Sequence, residues 1–287
     1  MYSVAMDCGL NELFSLLGSG SATGNSDANI NVNSGSVHGA ACLKQEDLFG
    51  FSAETPCPAL RYEQTDIDIA AELFSNTLNP SSLCEPARRL HELSANAFAA
   101  FVYAWMSELP IKDEMLAYGR MVINTAGKAS GDRGDENARI VMAAAYKVEH
   151  EIHRLLGLLR FNPDNKGVYI ALCEPDHFVL PAFGEHFTSR FGQNTAWAII
   201  DEKRGLVLSR ELACSANARA EILSKNDYIL LNCSDEQETG PGLNKAGGYW
   251  EDLWLHYHKT INNKDRSNPN LQRQFMPKRY WKYLPEV

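Results

Sequence analysis

Apolar residues recur three and four positions apart from Thr65 to Leu159, almost without a break, and near Gly157 that period changes. The first spacing is that of buried helix faces. Beyond Gly157 the apolar residues gather in short runs separated by turn residues, which is how strands pattern. A chain with helices first and strands later is expected to be α+β: a helical N-terminal region plus an antiparallel sheet with helices packed on one face. The expected organisation is a strand and helix over 1–17, a flexible low-complexity insertion and loop over 18–60, a helical region over 61–156 and an antiparallel α+β region over 157–287. Residues 61–287 are expected to form one compact unit.

Within this frame Tyr2 to Met6 suggests a strand, and Leu10, Leu13, Phe14 and Leu17 suggest a helix. From Gly18 to about Gly39, Gly, Ser, Asn and Ala dominate, too few large apolar groups to offset the entropy of ordering. Thr65 and Asp66 are candidate caps for a helix burying Ala70, Leu73, Phe74 and Leu78. Pro86 suits a first helical turn, Ser94 suits a cap, and a helix is expected from Asp113 to Asn124. The longest helix carries the stripe Val141, Ala144, Ala145, Val148, Ile152, Leu155 and Leu156. Strands are expected at Leu158 to Phe161, Val168 to Cys173, Ala196 to Asp201, Leu206 to Arg210 and Tyr228 to Leu231. Helices are expected at Leu180 to Phe191 and Tyr249 to Ile261.

The longest strongly apolar run, Phe98 to Met106, has nine residues, against the roughly 20 that span a membrane. Asp7 and Glu12 stand where a secretory signal would be basic and then apolar. A cytoplasmic protein without membrane contact is expected. The seven cysteines (Cys8, Cys42, Cys57, Cys84, Cys173, Cys214 and Cys233) include no pair closer than fifteen residues, whereas zinc ribbons and iron-sulfur clusters draw thiolates from tight turns. Scattered reduced thiols are expected, with no metal and no cofactor.

The P-loop, GxSxG, HExxH, EF-hand and deaminase signatures are absent, and the glycines of Gly18 to Gly24 do not follow GxGxxG. Whether the protein is an enzyme therefore stays open. At 100° per residue, Tyr146, Glu149 and His153 line one border of the apolar stripe and His150 faces solvent. Glu149 and His153, with His186, are the weak candidates for acid-base or metal-ligand work. The alternative for His153 is a boundary histidine bonded to backbone or to Glu149. His186 and Arg190 share a helix face and can donate to phosphate. Asp176 and His177 follow Pro175 and suit a turn. Arg160 and Arg204 add cations, the latter at a hairpin tip where solvation is the usual fate.

Residues 259–287 hold seven basic and two acidic residues, so this tail carries +5 and the other 258 residues carry −14. An acidic body repels polyanions, and any nucleic-acid contact must be local. In the tail, basic residues alternate with Phe275, Tyr280, Trp281 and Tyr283, a pattern that neutralises phosphates and offers ring faces to bases. The candidate nucleic-acid contacts are Arg154, Arg160, Arg190, Arg273, Lys278, Arg279, Tyr280, Trp281 and Lys282. The rival is a strap whose aromatics pack on the body and whose cations pair with its acidic surface, and a third reading is a dock for a partner protein.

The segments Glu151-Ile-His-Arg-Leu-Leu-Gly-Leu-Leu-Arg-Phe161, Glu174-Pro-Asp-His177, Glu185-His-Phe187, Arg190-Phe191, Trp197-Ala-Ile-Ile-Asp201, Lys203-Arg-Gly205 and Arg273-Gln-Phe-Met-Pro-Lys-Arg-Tyr-Trp-Lys-Tyr-Leu-Pro-Glu286 together resemble an uncharacterised bacterial domain family labelled as DNA metabolism or DNA repair. The resemblance covers most of residues 136–287. It implies DNA as a partner and a neighbouring radical SAM protein. Some members are fused to a uracil-DNA glycosylase-like domain, a fusion not expected here, and without clustered cysteines residues 1–287 are not expected to hold a radical SAM cluster. An accessory protein that binds DNA beside a radical SAM partner is the expected function. The alternatives are a nucleic-acid-processing hydrolase or lyase using His153, Glu149 and His186, and a protein-interaction module without DNA binding.

Overall fold

The computed structural model describes residues 8–19, 62–164, 166–192, 194–211, 220–232, 246–263 and 268–284. The expected strand at Tyr2 to Met6 and residues 20–60 of the expected insertion lie outside them. Gly18 and Ser19 close the first helix, α1 (Leu10–Ser19).

Helix α1 buries Leu10, Leu13, Phe14 and Leu17, and Phe14 stacks on Phe98 and Phe101 with centroids 5.6 and 5.1 Å away. Its N-terminus is satisfied from the next helix, α2 (Gln64–Phe74): both Asp66 carboxylate oxygens accept, at 2.9 Å each, from the backbone N–H groups of Leu10 and Asn11. Asp66 is therefore a cap, but of α1. Its own helix starts after Glu63, which makes no side-chain cap. Burial raises the Asp66 carboxyl above its ordinary value, opposed by the two N–H donors. Of the apolar face expected on α2, Ala70 is fully buried, whereas Leu73, Phe74 and Leu78 pack on the core partly exposed.

Helix α3 (Glu85–Leu93) has Pro86 in its first turn. Ser94 caps α4 (Ala95–Met106) through Ala97 N–H at 3.2 Å. The turn after helix α5 (Lys112–Asn124) contains Gly127, where φ is +81° and a Cβ would lie 2.4 Å from the Leu93 carbonyl oxygen, so only glycine fits. Asp135 caps α6 (Glu136–Leu158) through Ala138 N–H at 2.8 Å. The α6 stripe packs on α4 and α5.

Five strands form one sheet in chain order: β1 (Asn162–Pro163), β2 (Tyr169–Cys173), β3 (Trp197–Asp201), β4 (Leu206–Arg210) and β5 (Glu221–Ser224). The α+β class holds, and the sheet is mixed: β2 and β3 run parallel, with Ala171 opposite Ile199, while the other three pairs are antiparallel. The parallel pair follows from its connection, a 3-10 turn (Leu180–Phe183) and α7 (Gly184–Phe191), which is long enough for a crossover.

Two expected strands are corrected. Helix α6 continues through Gly157 to Leu158, leaving only a two-residue strand at 162–163. Tyr228 to Leu231 lie in α8 (Lys225–Asn232), because Ser224 Oγ accepts from Asp227 N–H at 3.1 Å and donates to the Asp227 carboxylate at 2.6 Å, a reciprocal cap that starts a helix. As a result both sheet faces are covered. Ala171, Trp197, Ile199 and Leu208 join the main core, while Ile170, Ala198, Ile200 and Val207 pack with Tyr228.

The C-terminal elements are α9 (Ala246–Ile261), α10 (Pro269–Phe275), capped by Asn268 through Leu271 N–H, and a 3-10 helix (Lys278–Tyr283) that lies against β2. Tyr280 and Leu284 are buried, and Tyr280 belongs to the main core. Among the described residues no helix is long and apolar enough to cross a membrane.

Candidate nucleic-acid interface and its C-terminal clasp

Glu151 sits on α6 only 3% exposed, which is unusual for a carboxylate. Its oxygens accept from Asp176 N–H at 2.9 Å, His177 N–H at 2.8 Å, Arg279 at 2.8 Å and Tyr280 Oη at 2.5 Å. Two donors come from the loop after β2 and two from the C-terminal 3-10 helix, so one carboxylate joins three distant segments. Arg279 also pairs with the Asp176 carboxylate and donates to Tyr280 Oη at 2.9 Å. Lys282 lies 2.6 Å from Glu174 and 3.9 Å from Glu202, and Tyr283 donates to Glu202. This is a clasp: two of the tail's cations, Arg279 and Lys282, are neutralised against the acidic body. Burial and the Glu151 charge push the Tyr280 phenol far above its ordinary value, so it remains a donor.

The same loop is held from below. His177 Nδ1 lies 3.0 Å from the Ser107 carbonyl oxygen, which can only accept, so Nδ1 carries the proton. Arg204, at the β3–β4 turn, has a side chain 7% exposed and donates to Pro175 and Asp176 carbonyls at 3.1 and 2.9 Å, to the Asp201 carboxylate at 2.8 Å and to Glu108. Solvation was the expectation for a hairpin-tip arginine, and it is overturned because two carboxylates and two carbonyls converge on this one. Tyr62, stacked on Phe178 at 3.9 Å, also donates to Glu108. Burial alone would raise the Glu108 carboxyl, but Arg204 and Tyr62 outweigh it and hold it below the ordinary range. Asp201, fully buried, stays raised by desolvation although it shares Arg204.

The structure divides the sequence-derived residues into groups. Arg279, Tyr280 and Lys282 belong to the clasp. Trp281 is half-buried and donates to the Met276 carbonyl at 2.8 Å. Arg273 and Lys278 are exposed and make no ion pair among the described residues, with Lys278 6.0 Å above the Trp281 ring. Arg190 is exposed on α7 and Arg154 half-buried on α6. Arg160 donates to the Gly157 carbonyl at 3.0 Å and lies 5.9 Å over the Trp254 ring. Glu149 and His153 are exposed on α6 and His186 is exposed on α7, its ring edge-on to Phe187. No hydrogen bond or ion pair joins those three among the described residues, and no three His, Cys, Asp or Glu side chains there are grouped to hold a metal ion.

Around Arg160 the surface is aromatic. Trp254 and Tyr257 on α9 are 38% and 53% exposed with centroids 5.8 Å apart, and His258 stands 6.3 Å from Trp254. Beside the end of α6, Leu158, Asn268, Leu271, Gln272, Phe275 and Met276 line a groove of about 380 Å³. Phe275 is 63% exposed.

Sequence reasoning missed Glu151, Glu108 and Asp201. For Glu151 a signal existed: it stands three after Val148 and four before Leu155, at the centre of the apolar stripe, where a carboxylate must have partners. Glu108 and Asp201 carry no comparable pattern.

Fold and site define an α+β protein whose last described helix, Lys278–Tyr283, folds back as a clasp on a buried carboxylate. The chain belongs to the DUF4130 family, a domain of unknown function, whose model matches residues 111–286. Every residue bonded to Glu151 lies inside that match, whereas Tyr62, Ser107 and Glu108 precede it. Comparison with curated proteins and with solved structures found no match.

Proposed function

We propose that this protein is an accessory factor of DNA metabolism that binds nucleic acid through its C-terminal half and presents it to a partner enzyme, a radical SAM protein on the strength of the family resemblance. The observation that carries the reading is the pair of exposed rings Trp254 and Tyr257 beside Arg160, together with the exposed cations Arg273 and Lys278 of the tail, on a body of charge −14. Cations neutralise phosphates, exposed rings receive bases, and the acidic remainder confines the contact to this face. The clasp anchors the 3-10 helix that follows α10, so α10 leaves from a fixed end.

A salt series with the intact protein and labelled DNA tests it. Binding should weaken with salt at a log-log slope of about −0.7 to −0.9 per phosphate contacted, depending on strand form. A folded protein that binds no DNA at low salt would end the proposal.

A further inference from the structure

We infer that the face formed by α9, α10 and Arg160 takes single-stranded nucleic acid, stacking unpaired bases on Trp254, Tyr257 and Phe275. The inference rests on the nucleic-acid reading above and adds the strand form and the residues. Three observations carry it.

The first is ring presentation. Trp254, Tyr257 and His258 lie within one turn of α9 and share a face, and Trp254 and Tyr257 are both substantially exposed on a helix that reaches solvent. Rings of this kind receive bases only where those bases are already unstacked, since a duplex buries its base faces.

The second is the cation. Arg160 stands over Trp254, its guanidinium oriented by the Gly157 carbonyl, and Leu158, two residues before it, lines the α10 groove. A planar cation on a ring both stiffens the platform and offers N–H groups to a passing phosphate. Arg273 and Lys278, exposed and outside the clasp, add positive field along the same segment.

The third is what the face lacks for duplex. Among the described residues of α9 beyond Glu251 the charges are Asp252 and Lys259, so phosphate contact on this face falls to Arg160, Arg273 and Lys278, fewer than the long row of cations that tracks duplex phosphates. The groove of about 380 Å³ has room for a ring, and its Leu271 and Phe275 walls suit one.

The test uses the full chain with labelled oligothymidine of about 20 nucleotides and a duplex of equal length, read by fluorescence anisotropy. The variants are Trp254→Ala with Tyr257→Ala, and separately Phe275→Ala, each checked for unchanged circular dichroism and melting. The wild type should bind the single strand roughly tenfold more tightly than the duplex, and the double variant should lose roughly tenfold on the single strand alone. Phe275→Ala keeps the test valid should the double variant misfold. If both strand forms bind with equal affinity, or the ring variants bind both as wild type does, the stacking inference is wrong while the nucleic-acid reading stands. If folded wild type binds neither form, both fall and the face belongs to a protein partner.

Discussion

Tyr280 Oη donates a 2.5 Å hydrogen bond to Glu151 Oε1 across 129 residues of sequence, and both groups are buried. That bond is the inner half of the clasp. Outside it, Arg279 and Lys282 make the more exposed ion pairs to Asp176 and Glu174. Exposed pairs contribute little, whereas a buried carboxylate stripped of a donor is costly.

Tyr280→Phe should therefore lower stability by about 2 kcal/mol, the scale of a hydrogen bond to a charged group. Lys282→Ala should change it by less than about 1 kcal/mol. Urea midpoints of the two variants check the ordering, and a larger loss for Lys282→Ala would place the clasp's strength in its outer pairs.

Arg204→Ala would leave Glu108 and Asp201 without their shared cation and release the Pro175 and Asp176 carbonyls. A loss of about 3–5 kcal/mol is expected, as for other broken buried ion networks. Arg204→Lys should recover only part of it, because one ammonium cannot reproduce the fork that reaches four acceptors. Thermal melting of the two variants side by side provides the measurement.

Glu108 supplies a pH dependence. Its folded pKa is lowered, so it contributes stability above its unfolded value of about 4.3, and that contribution is lost as pH falls through the lowered folded value. Asp201 is raised and acts in the opposite sense: its ionisation costs stability at neutral pH, and acid relieves that cost. Glu108→Gln should lower stability at neutral pH and flatten the decline below about pH 4. Urea midpoints measured across that range would refute the assignment if the acid decline stayed as steep as in wild type.

How far this was legible in the sequence depends on the range of the interaction. The period change near Gly157 and the cap at Ser94 are local, and the α+β class followed from such patterns. Parallel pairing of β2 with β3 is set by a crossover that no local pattern encodes, and α8 displaced an expected strand through the Ser224–Asp227 cap. Within the site, the basic-aromatic tail was visible as composition, but its division into clasped and exposed residues was not. That division depends on Glu151 and Asp176, over a hundred residues away in sequence from Arg279. Asp66 repeats the lesson, since a good capping residue capped a different helix.

Under the proposed function the tail performs two separable tasks, holding itself down with Arg279 and Tyr280 and meeting nucleic acid with exposed groups such as Arg273 and Lys278. The most direct measurement is single-strand affinity across a salt series for Arg273→Ala with Lys278→Ala, beside Tyr280→Phe, with the melting temperature of each. The charge variant should melt as wild type does, bind more weakly and lose about 1.4 units of log-log salt slope for its two phosphate contacts. Tyr280→Phe should melt lower and, below its transition, bind with wild-type affinity and slope. The opposite pattern, with affinity following Tyr280 and indifferent to Arg273 and Lys278, would contradict the division of the tail.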